Sequence, residues 1–249
     1  MKETRRVLAG LCLLGLGVAC AAPGGIVWAT GAGTTTADGL QRVRWSDLGA
    51  LFLRPGAEMQ GFHSVILEPL KIAPDAPGEE RRAFMPSPTY PPTPDYLTQM
   101  QDLFRQTFSR EFQRNGFALV ADPGPGVLRV SGYVVDLVLT ATLDPQNQAR
   151  QSDVIRSFGE LTLVLDVRDS ATGTPLLRAI DRQQISADPL MGAVVNSVGA
   201  NIAAQQDLFA HEAILLRTRI QELQEVPALP PAPGAAPAAA SAPARAAGS

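Results

Sequence analysis

The sequence predicts an α+β domain: an antiparallel sheet of about four to five strands with two amphipathic helices packed on one face. Two observations support this class. Residues 159–185 have the pattern of a strand, a turn and a second strand, and two longer segments, 94–115 and 201–226, repeat apolar residues every three or four positions. Strands joined by short turns pair antiparallel, and helices with one apolar stripe pack on a sheet. The predicted domain spans residues 45–225.

The first 19 residues are predicted to be a signal peptide that takes no part in the fold. Lys2, Arg5 and Arg6 precede an apolar run of 13 residues, Val7–Ala19. A transmembrane helix needs about 20 apolar residues, so this run is too short to span a bilayer. A basic start followed by a short apolar core is typical of an export signal. We therefore expect the mature protein in the periplasm.

Cys20 ends the segment Leu-Gly-Val-Ala-Cys, which resembles a bacterial lipobox. In that motif, cleavage leaves the cysteine as a lipidated N-terminus. The motif usually has leucine three residues before the cysteine, where this chain has Gly17. The alternative is ordinary secretory cleavage after Ala21 or Ala22. Lipidation of Cys20 would make the membrane a partner, and Ala21, in place of aspartate, resembles signals that permit sorting to the outer membrane.

Composition excludes several classes of function. Cys12 leaves with the signal peptide, so the mature chain keeps at most Cys20 and has no intramolecular disulfide, zinc site or thiol catalyst. Without residues 1–19 the chain has 18 basic and 23 acidic residues, a net charge of −5, and no basic block. Nucleic-acid binding needs a positive footprint, so we expect no nucleic-acid partner. No cofactor motif is present, and we expect no cofactor.

The segment before the first long helix is predicted to be mostly irregular. Residues 20–44 are rich in Gly, Ala and Thr and are predicted to be a flexible tether. Ser46 is placed to cap a short helix that runs through Phe52. Residues 63–69 have a strand-like pattern that ends at a proline. Residues 73–94 contain seven prolines, which predicts an extended surface loop.

The first long helix has a well-defined start and end. Thr93-Pro94-Asp95 supplies a capping hydroxyl, a proline suited to the first helical position and a carboxylate at the positive end. Asn115-Gly116 predicts the end of the helix. Its apolar stripe comprises Leu97, Met100, Phe104, Phe108 and Phe112. Packing against the sheet is the favoured role of this stripe. The alternative is that Phe104, Phe108 and Phe112 line a ligand cavity.

A long strand is predicted at residues 127–140, after a short strand at 117–121 and a turn at 122–126. Apolar residues occupy even positions at the start of the long strand and odd positions at its end. The change of phase falls at Gly132. A single extra residue in one strand produces such a change, so the sequence predicts a β-bulge at Gly132.

The hairpin at residues 159–185 is the most strongly patterned element. Its first strand alternates apolar and polar residues, as expected when only one sheet face is buried. Asp169 and Gly173 are predicted turn residues, because a short carboxylate bonds nearby backbone and glycine adopts positive φ. The hairpin favours an antiparallel meander for the whole sheet.

The hairpin also carries the candidate acid–base residues, which are Glu160, Asp166, Asp169 and Asp181. Hydrolysis would require two of these carboxylates to meet in one cleft. Arginines lie close to them in the sequence, at Arg168, Arg178 and Arg182. That pattern favours cross-strand ion pairs on a solvated face. His63 and His211 have no metal-ligand spacing around them, so we predict neither a metal site nor a catalytic residue.

The second helix is predicted at residues 201–226. Its apolar residues keep one face, and Gln, Arg and Glu fill the other. The spacing resembles heptads, but it covers too few repeats for a coiled coil, so docking on the sheet is favoured. Residues 226–249 are mostly Ala and Pro and are predicted to be a disordered tail.

Three stretches resemble a family of bacterial envelope lipoproteins known only as a domain of unknown function. The first is residues 51–70, with Arg-Pro-Gly followed by His-Ser-Val-Ile-Leu-Glu-Pro. The second runs from Phe104 to Val130, and the third, Gly159–Arg182, contains Asp-Ser-Ala-Thr-Gly. They cover residues 45 to about 223 in order. The resemblance implies an α+β domain on a lipid anchor and brings no family activity with it.

The sequence therefore predicts a non-enzymatic cell-envelope lipoprotein. We expect a binding or scaffold module that is tethered to the outer membrane, faces the periplasm and binds an unidentified envelope protein. The first alternative is a periplasmic carrier of a hydrophobic small molecule, which rests on the phenylalanine stripe. The weakest is a hydrolase that uses the hairpin carboxylates.

Overall fold

The structure is a computed structural model, and it describes residues 25–73, 89–141, 154–186 and 193–234. The predicted signal peptide and the lipidation site at Cys20 lie outside the described residues. So does most of the predicted tail.

Two helices carry much of the apolar core. Helix α1 spans Pro94–Arg114, and its N-cap Thr93 accepts a hydrogen bond from the backbone N–H of Tyr96. Helix α2 spans Val198–Gln224, and its N-cap Ser197 accepts from Ala200 in the same way. Each hydroxyl satisfies one of the donors that a helix leaves free in its first turn. The predicted start of α1 is thus accurate, and α2 begins three residues before the predicted Asn201.

The strands vary widely in length. Three are long: β6 (Val127–Leu139), β8 (Gly159–Asp169) and β9 (Pro175–Ile185). The shorter ones are β1 (Gln41–Arg42), β2 (Ala50–Leu53), β3 (Ser64–Leu67), β4 (Lys71–Ile72), β5 (Ala118–Leu119), β7 (Val154–Ile155) and β10 (Val194–Val195). The predicted short helix that begins at Ser46 is wrong, because β2 occupies its second half.

The main sheet has eight strands, with the order β1-β2-β9-β8-β6-β3-β5 and with β4 paired to β6 beyond the end of β3. Strands β7 and β10 form a separate antiparallel pair. The α+β class is confirmed, but the sheet is larger than the predicted four to five strands. It is also mixed and not purely antiparallel, since β3 pairs parallel with β5 and β6, and β4 with β6.

The parallel pairs follow from the position of α1 in the chain. A parallel connection between neighbouring strands needs a crossover of a dozen or more residues, usually a helix. Helix α1 lies between β4 and β5 in sequence and provides that crossover. The hairpin β8–β9 needs only the turn after Asp169, and it stays antiparallel along its length.

One face of the sheet and both helices form a single core. The sheet contributes alternate residues: Leu51, Leu53, Val65, Leu128, Val130, Val134, Leu161, Leu163, Leu165, Val167, Leu177 and Ala179. The helices contribute Met100, Phe104, Phe108, Phe112, Phe209, Ala213, Leu216 and Ile220. Phe104 and Phe209 meet edge to face with ring centroids 5.6 Å apart, so the two helices contact each other as well as the sheet.

Gly132 has a different role from the predicted bulge. Gly132 faces the core, and a Cβ built on it would lie 2.7 Å from Cζ of Phe104 and 2.9 Å from Cδ1 of Leu70. Glycine therefore makes room for an aromatic ring. The register of β6 shifts between Val135 and Val138 instead, where Asp136 has a φ of 55°. The bulge is thus real but lies later in the strand.

The N-terminal arm, residues 25–44, is docked on the domain and does not form the predicted flexible tether. Strand β1 pairs with β2. Trp28 bridges to Val43, and Ile26 and Leu40 are buried. The folded part of the chain therefore begins well before the predicted boundary at Trp45. At the other end, the backbone N–H of Leu229 donates to Ala57 O at 2.8 Å, so the folded part also continues past residue 225.

The β8–β9 turn is held by the two residues assigned to it. The Asp169 carboxylate accepts from the backbone N–H of Ala171 at 2.9 Å and from the Thr172 hydroxyl at 2.8 Å. Gly173 has a φ of +72°, and its N–H donates to Asp169 O at 2.9 Å. A Cβ on Gly173 would meet no atom within 4 Å, so the backbone conformation is what favours glycine here.

We expect Gly173→Val to lower the free energy of unfolding by about 1–3 kcal/mol, because a β-branched residue adopts positive φ poorly. Urea unfolding measures the change. Gly173→Asn is the matched control, since asparagine tolerates this region and should lose much less. Equal losses in the two variants would contradict the backbone explanation.

Candidate functional site

The four hairpin carboxylates do not meet in one cleft. Glu160 accepts from Arg182 at 2.6 Å across the hairpin, and Asp169 is engaged in the turn. Asp166 and Asp181 lie on opposite faces of the sheet, because Asp166 points away from the helices and Asp181 toward them. The arrangement gives no pair of these four that could share a substrate.

Asp166 is the centre of an ion-pair network on the face opposite the helices. Its side chain accepts from Arg168 at 2.7 Å and from Arg178 at 3.1 Å. Arg178 stands opposite Asp166 in the hairpin register and also bonds Asp38 of the N-terminal arm at 2.8 Å. The hydrogen bond from the Thr36 hydroxyl has the largest effect and lowers the pKa of Asp38. Burial opposes it, and Arg178 lowers the pKa again, so the pKa stays below its usual value. The predicted cross-strand pairing holds, and it extends to the arm.

Asp181 has a carboxylate partner that the sequence did not indicate. Gln183 Nε2 donates to Asp181 Oδ2 at 2.8 Å and to Glu212 Oε1 on α2 at 2.9 Å. Glu212 is only 1% exposed. Burial and, to a smaller extent, repulsion from Asp181 raise the pKa of Glu212 to about 7, and the hydrogen bond from Gln183 opposes both effects.

This buried carboxyl group titrates near neutrality but is closed to a substrate. Its Oε2 has no hydrogen-bond partner within the described part of the chain. The sequence analysis missed Glu212, although one signal could have found it: Glu212 is an acid on the apolar stripe of α2, between Phe209 and Leu216. Asn201 and Gln205 are buried on the same helix and bond each other through their amides. Helix α2 thus carries the buried polar side chains Asn201, Gln205 and Glu212 as well as an apolar stripe.

The phenylalanine stripe forms part of the close-packed core. Phe104, Phe108 and Phe112 are each 0% exposed. The rings of Phe104 and Phe108 lie 4.1 Å apart between centroids, and Phe112 meets Phe117 edge to face at 5.4 Å. The position of Gly132 directly below Phe104 leaves no space for a side chain there. This packing favours a core role over a ligand cavity.

The N-terminal arm exposes a basic and aromatic surface. Residues 25–29 run beside residues 41–44, since Ala29 N–H donates to Arg42 O at 2.8 Å and Arg44 N–H to Val27 O at 2.7 Å. The inward side chains are buried or half-buried, and the exposed outward ones are Val27, Arg42 and Arg44. Trp45 follows and is 72% exposed. The Arg44 guanidinium lies 5.2 Å from the centre of its ring, a cation–π contact.

The sheet face opposite the helices is only partly covered. It carries the half-exposed side chains Tyr133, Val135 and Val164 together with Ile180, which is 36% exposed. Lys71 lies 5.2 Å from the ring centre of Tyr133. These residues alternate with core residues along β6, β8 and β9, so their exposure follows from the strand period.

The described residues include both histidines of the chain. His63 lies just before β3 with its Nδ1 2.9 Å from Gly61 O, and His211 is exposed on α2. Within the described ranges, no group of three or more His, Cys, Asp or Glu side chains is placed to hold a metal ion. Neither described helix has an apolar stretch long enough to cross a membrane.

A family model described as protein of unknown function (DUF3313) matches residues 32–206, which is more than half of the chain. The match begins inside the N-terminal arm, ahead of the predicted domain boundary at Trp45. No curated protein matches the sequence significantly.

Several solved structures share low similarity with this chain. PelC from Paraburkholderia phytofirmans, solved as a dodecamer of the L103M variant, is 11% identical with a TM-score of 0.36, over 70% of this chain and 95% of that one. Protein XCC0632 from Xanthomonas campestris is 10% identical (TM-score 0.34; 69% and 92% covered). A candidate lipoprotein from Caulobacter crescentus CB15 is 15% identical (TM-score 0.29; 66% and 90% covered). At these scores the likenesses carry no argument about function.

Proposed function

The chain belongs to the DUF3313 family of proteins of unknown function, and we propose that it is a non-enzymatic cell-envelope lipoprotein. In this proposal Cys20 carries the lipid, and the domain is a binding or scaffold module that faces the periplasm from the outer membrane. An envelope protein is the expected partner.

The docked N-terminal arm is the observation that carries the proposal. The described fold begins at Gly25, five residues after Cys20, and Ile26 is already buried. Five residues reach at most about 18 Å when fully extended. A lipid on Cys20 would therefore hold the domain directly at the membrane surface, because the link between the lipid and the domain is short. Such a short link suits a module that acts at the membrane.

The environment of the carboxylates supports a binding or scaffold role over a hydrolase. Asp166 is 4% exposed and occupied by two arginines, Asp169 holds a turn, and Glu160 is paired with Arg182. Acid–base catalysis needs groups within hydrogen-bond reach of a substrate proton. Arginine pairing, burial and the turn therefore give Asp166, Asp169 and Glu160 structural roles.

We expect Cys20→Ser to move the protein from the membrane fraction to the soluble fraction of the envelope. The substitution removes the only thiol on which the proposed lipid could be built once the signal is cleaved. Fractionation followed by immunoblotting measures the change, and mass spectrometry of the mature N-terminus should find a diacyl- or triacyl-modified Cys20 in the parent protein.

Cys12→Ser is the matched control, because Cys12 lies in the segment that the signal peptidase removes. It should leave the membrane fraction unchanged. Ala21→Asp tests the sorting step separately and should retain the lipidated protein in the inner membrane. A Cys20→Ser variant that stays in the membrane fraction would overturn the lipid anchor.

A further inference from the structure

The outward face of the N-terminal arm forms a compact surface, which we call the ribbon patch: Val27, Arg42, Arg44 and Trp45. The backbone hydrogen bond between Arg44 and Val27 places these two residues side by side, and Arg42 lies on the same face two residues before Arg44. Trp45, which follows the arm, joins the patch through its contact with the Arg44 guanidinium. Val27 is 46% exposed and Trp45 72%. A tryptophan exposed to that degree is unusual in a folded domain, since most of its large apolar surface would normally be buried.

The charges of the ribbon patch are available to a ligand. Within the described ranges, neither Arg42 nor Arg44 has a salt bridge to a carboxylate. By contrast, Arg178 and Arg217 are paired with acids. Of the acids near the patch along the chain, Asp47 lines a pocket with Leu215 and Thr218 of α2, and Asp38 is paired with Arg178. Without residues 1–19 the chain is acidic overall. The two unpaired arginines beside the exposed tryptophan are therefore a local basic surface on an acidic protein.

The position of the patch in the chain limits what it can face. Val27 is seven residues from Cys20, a distance of at most about 25 Å when extended. Within the main sheet, the arm lies at the β1 edge, six strand spacings from β5 at the other edge. Neighbouring strands are about 4.8 Å apart, so β5 lies roughly 29 Å further away. The surface nearest the proposed anchor is therefore also the basic and aromatic one.

We propose that the ribbon patch lies against the bilayer that holds the lipid anchor. Trp45 sits at the level of the headgroups, and Arg42 and Arg44 bind the phosphates of anionic phospholipids. Tryptophan prefers the membrane interface because its ring is apolar and its N–H polar. Arginines near an anionic surface each contribute to binding. The inference rests on the proposed lipid anchor and adds the orientation of the domain on the membrane.

Tryptophan fluorescence tests this orientation directly, because the chain has only two tryptophans. The protein is purified from membranes as Trp28→Phe, so that Trp45 is the only tryptophan. It is then inserted into preformed phosphatidylcholine–phosphatidylglycerol vesicles with or without bromine on the acyl chains near the headgroup. The matched control carries Trp28→Phe, Trp45→Phe and Val120→Trp, since Val120 is exposed next to β5 at the far edge.

We expect bromolipid to reduce the Trp45 emission roughly twofold and to leave the position-120 reporter unchanged. Arg42→Gln with Arg44→Gln should weaken the quenching. An unquenched Trp45 on a lipidated protein would overturn the membrane orientation and leave the patch to a protein partner, with the anchor intact. Equal quenching of both reporters would also overturn it. An unmodified Cys20 in mass spectrometry would instead overturn the proposed function itself.

Discussion

Replacing Phe104 by alanine should lower the free energy of unfolding by about 3–5 kcal/mol. The ring is 0% exposed and contacts Phe108 and Phe209 in the core that joins both helices to the sheet. Truncation removes its buried apolar surface and leaves a cavity that the long strands below cannot close. Urea unfolding followed by circular dichroism gives the change, with Gln106→Ala on the exposed side of the same helix as control.

A double-mutant cycle with Gly132 tests the packing model behind this prediction. Gly132→Ala alone should cost about 1–3 kcal/mol, because its Cβ would lie 2.7 Å from the Phe104 ring. In a Phe104→Leu background the cost should be smaller, since the ring that clashes has gone. A Phe104→Ala loss below about 1 kcal/mol, with additive effects at Gly132, would contradict the packed core and return the carrier hypothesis to consideration.

Replacing Glu212 by glutamine should remove a pH dependence of stability. Burial raises the pKa of Glu212 to about 7 in the folded chain, against 4.5 in the unfolded chain. Below about pH 4.5 both states hold the proton, and Glu212 has no net effect on stability. Between pH 4.5 and about pH 7 the unfolded chain releases the proton while the folded chain keeps it, so a rise in pH destabilises the fold. The loss is complete above the folded pKa and reaches about 3 kcal/mol at pH 8.

Glu212→Gln should therefore stabilise the protein by up to about 3 kcal/mol more at pH 8 than at pH 4. Glutamine keeps the oxygen that accepts from Gln183 and carries no charge next to Asp181. Unfolding curves at several pH values measure the effect. Asp207→Asn, on an exposed position of the same helix, is the control and should not show this gain in stability. A Glu212→Gln effect of equal size at all pH values would contradict the raised pKa.

The predicted elements that proved accurate are those set by local interactions. Thr93 and Pro94 specify the first turn of α1, and the alternation in β8 together with Asp169 and Gly173 specifies the hairpin. In each case the information lies within a few residues of the element it describes. Periodicity and capping can therefore be read without knowledge of any partner.

The sheet edges and the polar contacts could not be predicted in this way. Strands β1 and β4 have two residues each, too few for any pattern, and they exist because a neighbouring strand offers hydrogen bonds. The strand predicted at residues 117–121 contains β5, but its parallel pairing with β3 could not be predicted. The parallel pairing of β3 with β6 joins segments about sixty residues apart in sequence. The arm was predicted to be a tether because Gly, Ala and Thr are typical of linkers, although Ile26 and Leu40 bury it on the domain.

The sequence by itself determined the α+β class, both long helices, the central hairpin and the candidate anchor at Cys20, since each depends on residue order alone. Only the tertiary structure decided that Gly132 accommodates the Phe104 ring, that Glu212 shares Gln183 with Asp181 and that Trp45 and two arginines face outward together. These features depend on which distant residues come within a few ångströms. Burial, clash and pKa are properties of such contacts, and residue order does not specify them.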